Sequence, residues 1–325
     1  MIRFDLIRKI FFGSTAPAGT RPTSPEHSHA RHRRSAPLIL ACAAACVLLL
    51  TPRPVRADFR HARMGPRPRA MGSAFIAVAD DANAVYWNPS GMTQLERFEI
   101  TGCRTLLYGV DELSNDYISM AYHWRGIAAF GVSWVRLDLE DIYHEDTINL
   151  AVAGNVPWLD GLSVGGSLKI FNLSAPGYEK YNDPAYEGRD IKPGFDLGIH
   201  YSSKRNWTIG AVLYNLNEPK LKLLRTTEHP DPVYRDMAIG ASYIFSDLLL
   251  LSYDLKTRYG DLGNTIGRIG SEVWFFEAVA LRGGFEQEHM TAGFGLKHDR
   301  WQVDVMLETH YELGNTYQFA ATIRL

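Results

Sequence analysis

The sequence predicts an all-β fold, a transmembrane antiparallel β-barrel of about fourteen strands with an N-terminal, partly helical plug in its lumen. Three observations predict it. Apolar and polar residues alternate with period two, the alternating runs are about ten residues long, and the links between runs are by turns long and short.

The chain begins with a leader. Arg31, Arg33 and Arg34 precede an apolar run from Ala36 to Leu50, followed by Pro52, Pro54 and the small-residue site Val55-Arg56-Ala57. This is the anatomy of a secretory signal peptide cut after Ala57, and its core is shorter than the roughly 20 residues a spanning helix needs. Residues 1–57 are therefore set aside as leader and signal. They carry nine Lys/Arg and two Asp/Glu out of totals of 34 and 36, so the mature chain has a net charge near −9. Nucleic acid is excluded as a partner, because phosphates need a basic stripe. Of three cysteines, Cys42 and Cys46 lie inside the signal core and leave with it. Cys103 remains without a disulfide or thiolate-cluster partner, and no cofactor is expected.

Residues 58–97 come next and are not strand-like. Small residues dominate Arg69-Ala70-Met71-Gly72-Ser73-Ala74 and the stretch Ala77-Val78-Ala79-Asp80-Asp81, which leads to Trp87-Asn88-Pro89-Ser90-Gly91. Such a segment, placed before a barrel wide enough to leave an open pore, is suited to fold inside it. Read plainly, Asn-Pro and Ser-Gly are ordinary turn chemistry, and Asp80 and Asp81 cap and solvate a short helix.

The barrel is expected over 98–325. Read back from the C-terminus, Tyr317, Phe319, Ala321, Ile323 and Leu325 share one face, and Gln318, Thr322 and Arg324 the other. Trp301, Val303, Val305 and Leu307 oppose Gln302, Asp304 and Glu308 in the same way. The pattern marks strands near 98–108, 116–124, 127–137, 146–155, 161–173, 194–202, 207–216, 235–245, 248–256, 266–276, 279–287, 290–298, 301–309 and 317–325. Long polar links are expected at 109–115, 138–145, 174–193, 217–234, 257–265 and 310–316, with short turns such as Arg125-Gly126, Ser246-Asp247 and Asp299-Arg300 between them. The link at Gln287 to His289 breaks the rule by being tight. Long links outside and short turns in the periplasm place the chain in a bacterial outer membrane, facing lipid. Tyr122, Trp124, Trp158, Tyr201, Trp207, Tyr243, Phe245, Trp274, Phe275 and Trp301 lie near strand ends, where they suit interfacial girdles or, more plainly, core packing.

The string Arg69 to Gly91 resembles the N-terminal signature of the PorV/PorQ family. It also resembles the Asn-Pro-Ala hatch motif of the FadL-like (OmpP1/FadL/TodX) transporters of hydrophobic compounds, with Ser90 replacing the usual Ala as a small-for-small change. The FadL-like resemblance implies a plug gated at Asp80, Asp81, Asn88, Pro89, Ser90 and Gly91, passing a hydrophobic, long-chain fatty acid-like small molecule sideways into the bilayer. The PorV/PorQ resemblance implies an accessory of a protein secretion system, whose Tyr- and Pro-rich loops at 174–193 and 217–234 contact cargo or other secretion-system proteins. The C-terminal strand ending at Leu325 resembles a signal for the barrel-assembly machinery.

An outer-membrane lipid hydrolase is the third reading, and its candidates are Ser114, Ser119, His123, His144, His200 and His310. They form no telling spacing, and no Gly-x-Ser-x-Gly elbow is present, so no catalytic residue is assigned. Asp138, Glu140, Asp141, Glu145 and Asp146 could hold calcium but lack EF-hand spacing, so no metal site is assigned either.

Overall fold

A computed structural model describes residues 63–325 other than 111, 141, 204, 229 and 311–313. The expected signal peptide lies outside the described residues. Fourteen strands close into a barrel: β1 (Glu99–Leu106), β2 (Leu113–Trp124), β3 (Ala128–Leu139), β4 (Tyr143–Asn155), β5 (Leu162–Ser174), β6 (Arg189–Ser202) and β7 (Trp207–Tyr214) make the first half. A small hairpin, β8 (Lys220–Leu221) and β9 (Asp231–Pro232), stands apart from the ring. The second half is β10 (Asp236–Phe245), β11 (Leu249–Arg258), β12 (Asp261–Phe275), β13 (Val279–Glu286), β14 (His289–His298), β15 (Trp301–His310) and β16 (Gly314–Arg324).

All pairings are antiparallel; β7 joins β10 directly, and β1 pairs with β16 to close the ring. Closure leaves no long free edge. The ladders from β1 to β5 run without a register break, and the one shift among the described ladders falls at Lys256/Arg258 between β11 and β12.

The alternation of the sequence becomes an inverted core. Outward positions such as Phe130, Leu150, Phe195, Leu281, Phe294 and Phe319 are large, apolar and exposed, whereas Ser119, Asn149, Asp254, Arg268, Glu272 and Gln318 point inward and are buried. Only a lipid solvent makes that arrangement favourable, so the protein is an outer-membrane barrel. No helix among the described residues is long and apolar enough to cross a membrane.

The connections correct part of the expectation. Most strands extend further at the upper, loop-bearing rim than the alternation suggests: the link at 138–145 shrinks to 140–142, β15 and β16 reach His310 and Gly314, and β2 begins at Leu113, although β1 stops early at Leu106 so that the first link is 107–112. The supposed long loop 257–265 is a tight turn, because β12 already begins at Asp261. The tight link at Gln287 is real, since Glu286 pairs with His289. Two long upper links remain, 175–188 and 215–235, and they are joined. Tyr186 bridges Leu224, Arg225 N–H donates to the Ala185 carbonyl, and the Arg225 side chain pairs with Glu187. The ten aromatic residues expected at strand ends all lie at the lower, short-turn rim, and Trp274 among them lies against Arg282 and Lys297 rather than facing out.

Residues 63–97 run through the interior of the ring. Helix α1 (Pro66–Ala70) starts on a proline and ends where Gly72 and Ser73 take left-handed backbone, and helix α2 (Ala84–Trp87) ends at Asn88, which is extended ahead of Pro89. A 3₁₀ turn follows over Pro89–Gln94. Met71, Phe75, Ile76, Val85, Trp87 and Met92 bury themselves against Ala121, Ala129, Ala151, Val212 and Ala238 of the wall.

Candidate functional site

The sequence motif forms two contacts with two different walls. Asn88 is fully buried and bonded through both atoms of its amide. Its Nδ2 donates to the carbonyls of Ile76 (2.9 Å) and Ile199 on β6 (3.3 Å), and its Oδ1 accepts from Ser90 Oγ (2.6 Å) and Ser90 N (3.3 Å). Asn88 thus caps the 3₁₀ turn and also ties the segment to the barrel. Ser90 is more than a tolerated small residue: its hydroxyl donates to the Asn88 amide, and its carbonyl accepts from Ser163 Oγ on β5 at 3.0 Å. Gly91 is needed for close approach, because a Cβ there would overlap the Ala79 carbonyl.

Asp80 and Asp81 converge on Arg67, at 2.6 and 2.9 Å, and Arg67 also reaches Glu272 on β12 at 2.9 Å. Asp81 further accepts from the Asn83 backbone N–H and side-chain amide. The acids therefore hold an arginine rather than simply capping a helix. Burial alone lowers the basicity of Arg67, but Asp80, Glu272 and Asp81 outweigh it and hold the guanidinium well above its ordinary pKa.

From Arg67 an ionic lane crosses the inner wall. Glu272 also accepts from Arg282 Nε at 2.6 Å, Arg282 reaches Asp304 at 2.6 Å, and Arg324 closes the lane on Glu99 at 2.6 Å. Beside it, Arg69 pairs with Glu308, and Glu286 gathers Arg268 at 2.9 Å and Arg63 at 2.7 Å. Burial, with Arg63 nearby, pushes Arg69 down to about 9 against the pull of Glu286. Strands β12–β16 and β1 thus add charge to the hold on the segment, whereas β2–β7 and β10 use alanine, glycine and short polar side chains.

The glycine contacts are part of the site that the sequence reading missed. At Gly165, Gly210, Gly270 and Gly284, a Cβ on the wall would collide with backbone atoms of the segment, at Ser90, Ile76, Met71 and Gly72 respectively. Backbone lies on backbone there, and only glycine permits it. The segment is also held by Asp254 of β11, whose Oδ2 accepts the backbone N–H groups of Phe75 (2.8 Å) and Ile76 (2.9 Å).

Above the segment, toward the upper rim, a cleft is lined by Arg63, Tyr86, Trp87, Tyr214, Asn215, Lys256 and Arg268. Tyr86 and Trp87 meet edge to face at 5.7 Å, Arg268 lies 5.9 Å from the Trp87 ring, and Tyr214 OH donates to the Trp87 carbonyl. Burial pushes the Tyr86 phenol up, so it stays neutral. A second cleft at the mouth lies under the β8–β9 hairpin, with Tyr143, Glu145, Phe171, Leu173, Leu221 and Val233 among its walls.

Among the described residues the hydrolase and calcium candidates are not brought together; Asp141 and the side chain of His310 lie outside the described residues. Ser119 Oγ donates to the Ala82 carbonyl, His200 meets the Ala77 carbonyl at 2.9 Å, and His144 pairs with Asp138. Asp146 is engaged by Arg136, Trp134 and Asn172, and among the described residues no three His, Cys, Asp or Glu side chains are arranged to hold a metal ion.

No protein-family model matches the sequence. No curated relative matches it either. Solved structures do match the fold. The CymD monoaromatic hydrocarbon channel is 15% identical with a TM-score of 0.60, covering 82% of this chain and 99% of its own. A Pseudomonas aeruginosa FadL homologue is 13% identical at 0.57, covering 78% and 96%. The Ralstonia pickettii toluene transporter TbuX is 17% identical at 0.55, covering 82% and 98%. The closed ring of fourteen strands in this chain is thus the fold of outer-membrane channels for hydrophobic compounds.

Proposed function

We propose that this outer-membrane barrel binds hydrophobic compounds and passes them inward, with residues 63–97 as a plug gated at Asn88 to Gly91. The observation that carries the reading is the pair of clefts inside the ring, an aromatic-lined one against the segment and a more aliphatic one at the mouth. Aliphatic and aromatic walls with placed polar groups are what binds and orients a small hydrophobic ligand, and the two clefts divide these between them. The mouth cleft supplies Phe171, Leu173, Leu221 and Val233 for first capture, and the lower cleft supplies aromatic rings and polar anchors. The ladders beside the segment are unbroken from β1 to β5, so release sideways needs a strand to part, whereas release downward needs only the plug to shift.

The test is binding of a fluorescent long-chain fatty acid and of toluene to the refolded, detergent-solubilised mature chain, with uptake into vesicles. Saturable binding of either compound, with uptake altered in Asn88→Ala, supports the gated conduit. A verified folded barrel that binds neither sinks it.

One observation favours the secretion-accessory reading. The two long upper links are tied to one another, and Tyr181 on their surface is 64% exposed, as a protein-binding cap would be. Capture of the same cargo by wild type but not by a chain shortened in 175–188 is the result that reading requires.

A further inference from the structure

We propose that the lower cleft selects small aromatic acids carrying a hydroxyl group, in preference to plain hydrocarbons or long alkyl acids. This rests on the conduit reading above and names the substrate class for the same site.

The lining contains no aliphatic side chain: it is Tyr86, Trp87, Tyr214 and four polar residues. An alkyl tail gains by leaving water only where apolar walls receive it along its length, and this cleft has none to offer. A flat ring fits better, since Tyr86, Trp87 and Tyr214 supply aromatic surface for offset or edge-to-face contact.

The charge of the lining is one-sided. Arg63, Lys256 and Arg268 are cations, and no carboxylate shares the lining with them. Their partners are two: Asp236 at 2.9 Å from Lys256, and Glu286, which serves both Arg63 and Arg268. Asp254, which accepts the amides of Phe75 and Ile76, also acts on Arg268, and Glu286 is shared with Arg69 as well. All of these acids stand behind the lining rather than in it, so a ligand in the cleft meets three cationic donors and no carboxylate. A ligand carboxylate accepts charge-assisted hydrogen bonds from them, which a neutral hydrocarbon cannot do.

Asn215 adds the second requirement. It is only 3% exposed; its N–H donates to Asp196 at 2.8 Å and its Nδ2 donates to the Tyr234 carbonyl at 3.0 Å. Those two bonds fix the amide's orientation. Its Oδ1 is buried without a hydrogen-bond partner. A buried acceptor held beside a cleft discriminates strongly in favour of a ligand that brings a donor, here an aromatic hydroxyl.

The experiment is quenching of tryptophan fluorescence and calorimetric binding with the full mature barrel, comparing para-hydroxybenzoate, benzoate, toluene and palmitate. Para-hydroxybenzoate is expected to bind about tenfold more tightly than benzoate, as one hydrogen bond to an otherwise unpaired buried acceptor implies. In Asn215→Ala that ratio falls to near one, and in Lys256→Gln both acids weaken while toluene does not. Heat-modifiable migration of each variant verifies folding. Equal binding of the two acids by wild type, or an unchanged ratio in Asn215→Ala, overturns the proposal. Binding of toluene or palmitate without either acid overturns it while leaving the conduit reading in place; binding of none of the four removes both.

Discussion

The Asn88 amide offers a perturbation whose size follows from the structure. Asn88→Ala deletes all four of its hydrogen bonds. Ile199 keeps its place in the β5–β6–β7 ladder, but the Ile76 carbonyl and the Ser90 hydroxyl lose this partner in a dry site. Stranding a buried polar group costs about 1–3 kcal/mol, so loosening the segment by about 3 kcal/mol is expected, or roughly a hundredfold faster opening. Ser90→Ala alone removes one hydrogen bond and should cost about 1 kcal/mol. The two changes are not additive. Once Asn88 is gone the Ser90 hydroxyl is only an orphan, and deleting it relieves the penalty, so the double variant should be no looser than Asn88→Ala. Hydrogen exchange of the amides in 63–97, referenced to those of β12–β16, reads this directly. Strict additivity of the two substitutions, or equal exchange in wild type and Asn88→Ala, would refute the reasoning.

Other consequences are as specific. Arg67→Met leaves Asp81 and Glu272 facing each other with one cation removed and should destabilise the segment by about 3 kcal/mol, with part of the loss recovered in Arg67→Met/Asp81→Asn; protease sensitivity of residues 63–97 checks it. Gly284→Val drives a Cβ into the Gly72 backbone and should expel the segment locally while the strands stay paired, whereas Gly102→Val, which meets nothing, should leave the same exchange pattern unchanged. In the upper link, Asp183 accepts from Ala185 N–H and Tyr178 OH, both at 2.8 Å, and these bonds depress its pKa. A depressed carboxylate gives stability that is present above its unfolded pKa and lost as pH falls through the folded one, so the link should stay ordered near neutrality and loosen below about pH 4. Cleavage by an acid-active protease across that range follows it, and loosening that begins above pH 6 would contradict the assignment.

The number and order of the strands were legible because each crosses two solvents, lipid and lumen, and a period-two sequence is the imprint of that difference. Above the bilayer both faces of a strand meet water or other protein and the imprint fades. That is why Arg189 to Pro193 of β6 and Tyr143 to Glu145 of β4 read as loop and yet continue their ladders, while Asp261 to Thr265 of β12 read as loop and fall at the register shift. The Asn88 motif was legible as chemistry, but its partners were not. Arg67, which holds Asp80 and Asp81, lies just ahead of the small-residue stretch that begins at Arg69, and Glu272, its other partner, lies over two hundred positions further on. The glycine contacts could have been found by parity: Phe195, Leu197 and Ile199 face lipid, so Gly198 and its counterparts face inward, where a missing side chain signals something pressed against the wall. Arg63, Asn215, Lys256 and Arg268 come from four separate stretches, and nothing local marks them as neighbours.

The backbone contacts between the wall glycines and residues 63–97 bear on how the protein is made. A segment whose own main chain is seated at Gly165, Gly210, Gly270 and Gly284, on β5, β7, β12 and β13, has little slack with which to slide in along the axis of a finished cylinder. It joins β1 directly, and β1 is one side of the seam that β16 closes. The pairing of β1 with β16 is also the most distant along the chain, hence the slowest to form. Wrapping the wall around this segment, as staves around a former, is therefore the assembly route that fits, with the last seam locking the former in place. A bulky residue at one of these glycines should then act first on the yield of closed barrels during insertion, before any effect on the finished protein is seen.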